Sequence, residues 1–215
     1  DDDILGHVKV HIDQQFGVYT QLLTDDSDPD HPLEIAVIPP RQEHDYYTLV
    51  TVGLSRHRMG FPEERREEKL ERAELLINLP RDWKLTKVDC REELRSWPIR
   101  MMLATAHFAM EDPEVGLESR TTLMEGEDGI PFAENMDLRG EILLCPGVFG
   151  EESFFCRLPD GDEVNFYQVI PLYREELQYK LEHGSDALLD LCPDESLEVI
   201  NPHRLNVVTD REKIS

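Results

Sequence analysis

Three observations predict an α+β fold, a single domain with a mixed, largely antiparallel β-sheet covered by helices. Residues 46–54 and 163–170 are rich in β-branched and aromatic side chains. Residues 96–110 and 172–181 instead carry apolar residues at helical spacing. Strands and helices do not alternate regularly, which argues against a doubly wound parallel sheet. No internal repeat or flexible linker divides the 215 residues, so residues 1–208 are expected to form the domain and 209–215 a frayed tail.

Residues 1–16 predict a helix, with Ile4, Leu5, Val8, Ile12 and Phe16 on one face and Gly17 ending it. Residues 18–23 and 33–38 read as strands around an acidic loop, residues 25–32. Pro39 and Pro40 close the second strand. Gly53, at the end of the 46–54 strand, signals a bulge or a close backbone approach. Residues 56–69 are dense in charge, lack an apolar face and predict a loop with at most one helical turn. Residues 72–79 return to a strand, closed by Pro80. Ser96 is the expected N-cap of the next helix, whose inward face is Ile99, Met102, Leu103, Ala106 and Met110. Residues 119–124 suggest an edge strand, and 141–144 and 154–158 two short strands. Asp160-Gly161 is a hairpin turn into the strand that starts at Glu163.

That last strand organises the chain. Val164, Phe166, Gln168 and Ile170 fall on one face, and Asn165, Tyr167 and Val169 on the other. Both faces are apolar or aromatic, which predicts a central strand buried on both sides. Pro171 is expected to end the pairing, because it has no N–H. A helix follows with Leu172, Tyr173, Leu177 and Leu181 inward and Arg174, Glu175, Glu176 and Lys180 outward. Gly184 serves as its C-cap, and Ser185 and Asp186 open a second short helix that turns Leu188, Leu189 and Leu191 inward. Residues 197–208 are expected to be short β or irregular.

Charge is the strongest compositional signal. Asp and Glu number 46 against 22 Lys and Arg, a formal net charge of −24. Phosphates and anionic lipids repel such a chain, so neither nucleic acid nor membrane is expected as a partner. A charge beyond what solubility needs points to a basic protein partner or a halophilic source. No apolar run is long enough to span a bilayer, no secretory signal is visible and no Asn-x-Ser/Thr acceptor occurs; a cytoplasmic location and a monomeric state are expected. Cys90, Cys145, Cys156 and Cys192 form no C-x-x-C pair and have no zinc-type histidine spacing. Cys145 and Cys156 are expected in strands as small buried apolar residues, without a disulfide.

The chemistry-bearing patterns are mostly negative. Asp26, Asp28 and Asp30 invite a calcium reading, but a loop counted from Asp26 needs Gly and Glu where His31 and Val37 stand. No Walker loop, dinucleotide fingerprint, nucleophile elbow or H-E-x-x-H helix occurs. With so many carboxylates, neighbouring pairs arise by chance and carry little catalytic weight. His107 is expected as a satisfied boundary histidine, His44, His57 and His203 as solvated, and Trp83 and Trp97 as core anchors at the rim. No cofactor or metal is expected.

Together these stretches resemble the suppressor of fused family. The matching segments are YYTLVTVGLS (46–55), RAELLINLPRDW (72–83), SWPIRMMLATAHF (96–108), GIPFAENMDLRGEILLCP (129–146), VNFYQVIPLYREELQYKLEHGSDALLDL (164–191) and INPHRLNVV (200–208). The P-L-Y-x-E-E-L helix entry and the Asn-Pro-x-Arg tail are specific in combination. The resemblance implies a non-enzymatic binding domain. The animal member, similar to this chain only in its N-terminal half, grips a Gli peptide between two domains by strand addition, and that activity is not carried over. Single-domain bacterial members, to which the similarity is greater, are proposed immunity proteins against secreted toxins, and −24 has the right sign for a basic toxin. The resemblance places contacts at His107, Phe108, Glu118 and Arg120, although residues 118–120 depart from the family pattern. Charge adds Asp26, Asp28 and Asp30 to the candidate patch. The alternatives are a hydrolase using a carboxylate pair or His107, and a regulatory interaction domain with an unrelated partner.

Overall fold

The protein is described by a computed structural model over residues 2–85, 96–112, 122–124, 129–193 and 196–214. Helix α1 (Asp2–Gln15) leads into β1 (Gln21–Asp25), β2 (Leu33–Ile38) and β3 (Tyr46–Val52). Strand β4 (Ala73–Pro80) and helix α2 (Trp97–Glu111) follow, then β5 (Thr122–Met124), β6 (Leu138–Leu144), β7 (Phe155–Arg157) and β8 (Glu163–Tyr173). The described chain ends with α3 (Arg174–His183), α4 (Ser185–Leu189) and α5 (Arg211–Ile214).

The strands form one mixed sheet in the order β1-β2-β3-β4-β8-β6-β5, and β7 pairs with the start of β8. Every pairing is antiparallel except β4 with β8. Strand β8 is the central element the sequence predicts. One of its edges pairs with β4 through residues 165–168, and the other is shared by β7 and β6. Its even-numbered side chains enter the cores under α1 and under α3 and α4. Val169 packs with Ile99, Met102 and Ala106 of α2 on the opposite face. Burial on both faces explains why its pattern does not alternate cleanly.

Helix α1 seats Leu5, Val8, Ile12 and Phe16 against Ala36, Ile38, Val50, Val52, Leu76 and Phe166, as its periodicity predicts. Gly53 has φ +125°, and a Cβ there would stand 3.1 Å from the Pro32 carbonyl, so a close backbone approach does require glycine. The charge-dense segment forms two 3₁₀ stretches, Leu54–Arg56 and Glu63–Glu68. Trp83, Trp97 and Phe132 form a chain of rings at the rim of the α2 core, Trp97 lying parallel to Phe132 at 5.9 Å.

Several expectations need correction. Pairing does not stop at Pro171; β8 runs to Tyr173, with Pro171 opposite Glu141. The Pro171 carbonyl accepts a bond from Arg204 Nη2 at 3.0 Å. The nitrogen of a strand residue points the same way as its carbonyl, away from β6, so no ladder bond is lost. Leu181 is 66% exposed rather than inward, and Glu176, expected outward, is fully buried, because α3 buries only Glu176 and Leu177 near its start. Cys145 is exposed, since β6 ends at Leu144 and a Pro146 turn carries the chain off the sheet, while Cys156 in β7 is buried. Within the expected frayed tail, Arg211–Ile214 form a helical turn, and Ile214 packs against the α4 core.

Candidate functional site

The acidic loop between β1 and β2 meets the C-terminal end of α2. Asp25, the last residue of β1, is only 6% exposed and uses both carboxylate oxygens. Oδ1 accepts the Ser27 amide at 3.0 Å, and Oδ2 lies 3.3 Å from His107 Nε2. Asp28 folds the next turn, accepting the Asp30 amide at 3.0 Å and facing His31 Nδ1 at 3.0 Å. His31 makes an edge-on contact with His57, ring centroids 5.5 Å apart, and His57 lies near the Met110 backbone of α2. Turns closed by aspartate side chains hold this loop in shape.

Electrostatics follow from those contacts. The His31 hydrogen bond holds the Asp28 carboxyl below the usual carboxylate range. Desolvation, then the neighbouring His31, lowers His57 below an ordinary imidazole. Asp26 and Asp30 are exposed, and Phe108 is half-buried and joins none of the three core clusters. The structure thus brings the acidic loop to His107, and Phe108 is the next residue on α2. Glu118 and Arg120 lie outside the described residues, as does Cys90.

Sequence reasoning placed Asp25 in the acidic loop but not its contact with His107, and it missed His31 and His57 as members of this corner. His57, expected in solvent, is half-buried against His31, and only the fold brings these residues together. A His–Asp pair becomes a catalytic device when a nucleophile lies within reach of the imidazole; among the described residues, the side-chain partner of His107 is Asp25. Also among the described residues, no group of three His, Cys, Asp or Glu is arranged to hold a metal ion.

Among the described residues three glutamates are fully buried, which sequence reasoning also missed. Glu74 on β4 accepts four bonds, from the Thr51 and Ser55 hydroxyls and the Gly53 and Ser55 amides. Burial still raises its carboxyl above the usual range. Glu176 on α3 takes both Arg204 guanidinium nitrogens at 2.6 Å, plus the Tyr173 and Val207 amides at 3.0 Å. Burial opposes the charge on Arg204, but its bonds and attraction to Glu176 outweigh that and raise it. Asn78 and Gln168 donate to the carbonyls of 197–198, so β4, β8 and α3 together clasp the C-terminal segment. The signal for this clasp was present: Glu176 belongs to P-L-Y-R-E-E-L and Arg204 to N-P-H-R, and their pairing gives the two motifs a shared physical reason. Glu141 on β6 differs. Its one hydrogen-bond partner is the Thr105 hydroxyl, and its Oε2 has none among the described residues.

The structure is an open mixed sheet with helices on both faces that holds an acidic loop against the end of α2. The model of the suppressor of fused protein family matches residues 29–205, and the chain belongs to that family. An uncharacterised protein of Ureaplasma parvum serovar 3, UU111, is 25% identical over 178 residues, 82% of this chain and 81% of that protein. The fold matches a putative suppressor of fused homologue of Neisseria gonorrhoeae with TM-score 0.67, 15% identity and coverage of 96% of this chain and 98% of that one. A structure of a Sufu–Fu complex gives TM-score 0.60, 16% identity and coverage of 96% and 91%. Drosophila Suppressor of Fused gives TM-score 0.57 at 15% identity; this chain spans about half its length, 52%, while 99% of this chain is covered. No described helix is long and apolar enough to cross a membrane.

Proposed function

We propose that this protein is a non-enzymatic, immunity-type binding protein that occludes a basic, toxin-like protein. The observation that carries the reading is the net charge of −24, with the acidic loop tied through Asp25 to His107 near the end of α2. Asp26, Asp28 and Asp30 steer the partner, His107 and Phe108 meet it, and the family resemblance adds Glu118 and Arg120 as contacts. Family membership supports protein binding, and one related structure is a complex with the protein Fu. The protein acts as a cytoplasmic monomer and takes no nucleic acid or membrane as partner. Charged residues at an interface rim set the association rate, and a buried aromatic anchor sets dissociation.

The test compares the tagged wild type with the triple variant Asp26→Lys, Asp28→Lys, Asp30→Lys in cells of the source organism. The wild type is expected to retain one basic protein that elutes with salt, and the variant to lose it. An acidic partner, or equal retention by both, would overturn the reading. The His107–Asp25 pair leaves a hydrolase as the rival, and turnover of a bound small molecule that stops with His107→Gln would establish it.

A further inference from the structure

Glu141 plays no part in the docking corner, yet its surroundings are unusual. It is 2% exposed, opposite Leu123 of β5 and Pro171 of β8, with Thr105 of α2 against it. The Thr105 hydroxyl has one proton but two neighbouring acceptors, the Met101 carbonyl at 2.9 Å and Glu141 Oε1. Both contacts are satisfied when Glu141 carries the proton: it donates to Thr105, and Thr105 donates to Met101. The lone Oε2 is tolerable as the carbonyl of a neutral acid and costly as part of a buried charge. No charge compensates among the described residues. Strand β5 has no titratable side chain, and β8 offers only Tyr167 between Asn165 and Leu172, itself pushed up to about 12 by burial. Arg139, two residues back on β6, reaches toward Gly129 and Asp137. On α2, Arg100 and Glu111 are exposed and His107 turns to Asp25. Burial pushes the Glu141 carboxyl up to about 8, with the Thr105 bond opposing it.

We propose that Glu141 is carried as a neutral acid and that its proton seats α2 on the sheet, so that losing it loosens the helix. This goes beyond the docking reading and needs no partner, so either can fail alone. The device places a proton-linked latch on the helix that bears His107 and Phe108. It is tested by amide hydrogen exchange on the free protein from pH 5 to 8, with intrinsic exchange rates divided out. Protection in α2 is expected to fall by up to about tenfold per pH unit, the slope of one linked proton. Protection in α1 should hold, and Glu141→Gln should abolish the fall. No fall in the wild type, the same fall in Glu141→Gln, or α1 and α2 falling together would overturn the proposal. Should Glu141→Gln not fold, assigned carboxyl ¹³C spectra of the wild type decide: the Glu141 carboxyl still largely protonated at pH 7 is expected, and Glu141 ionised at pH 7 would overturn it.

Discussion

Glu176 and Glu141 are both removed from water beside β8, and their environments could hardly differ more. Glu176 receives a two-pronged guanidinium and two backbone amides, so its oxygens are fully used. Glu141 has one hydroxyl that must serve two acceptors, and an oxygen left over. The first arrangement fixes structure, because a buried ion pair with its hydrogen bonds complete tolerates no loss of a partner. The second stores a protonation state, because the fold favours the neutral form. A buried carboxyl in this protein therefore acquires its role from what surrounds it.

The largest effect should come from breaking the paired side. Arg204→Ala leaves Glu176 buried without its partner and should cost about 3–5 kcal/mol in urea unfolding. A cost below about 1 kcal/mol would mean that water replaces the guanidinium and that the clasp is ornamental. Next comes the apolar floor of the same helix. Leu177→Ala should cost about 2–5 kcal/mol, whereas the exposed Leu181→Ala should stay within about 0.5 kcal/mol. Equal costs would show that α3 is docked along its whole length.

The unpaired side is read through pH. The fold holds the Glu141 carboxyl at about 8 against a free value of 4.5, so it keeps a proton that the unfolded chain releases. Its contribution is therefore greatest below about pH 4.5 and is lost as pH rises toward 8, at up to about 1.4 kcal/mol per unit. Glu141→Gln should flatten that slope in denaturation measured at successive pH values. His11 works in the opposite direction. Its ring stacks on Phe166 and meets the Ser153 carbonyl at 3.1 Å, and burial lowers its basicity. The unfolded chain takes the proton first, so that contribution is present above about pH 6.5 and lost as pH falls. His11→Gln should lessen the acid-side loss, a smaller effect than that of Glu141.

The fold was largely legible because periodicity reports which face of an element is covered. Strand β8, α1 and α2 each announced their inward residues. The sequence misled where a local rule met a tertiary exception. Pro171 reads as a strand end, but its missing N–H points toward Arg204, where no strand needs it. Leu181 continues the heptad-like spacing of α3 past the place where the sheet stops supporting it. The acidic corner was half legible: the Asp26–Asp30 cluster stands out by composition, but its contact with α2 runs through Asp25, His31 and His57, which are remote from His107 in the chain. The three buried glutamates were hidden among 46 acidic residues, since composition cannot tell a solvated carboxylate from one inside the core.

The central claim is that the acidic corner beside His107 binds a basic protein. Stopped-flow association with the captured partner, across a salt series, tests it most directly. Coulomb steering should lift the association rate well above the unsteered ~10⁵–10⁶ M⁻¹s⁻¹ at low salt. The rate should fall steeply as the screening length shrinks to about 3 Å at 1 M salt, while dissociation changes far less. An association rate indifferent to salt would contradict the account.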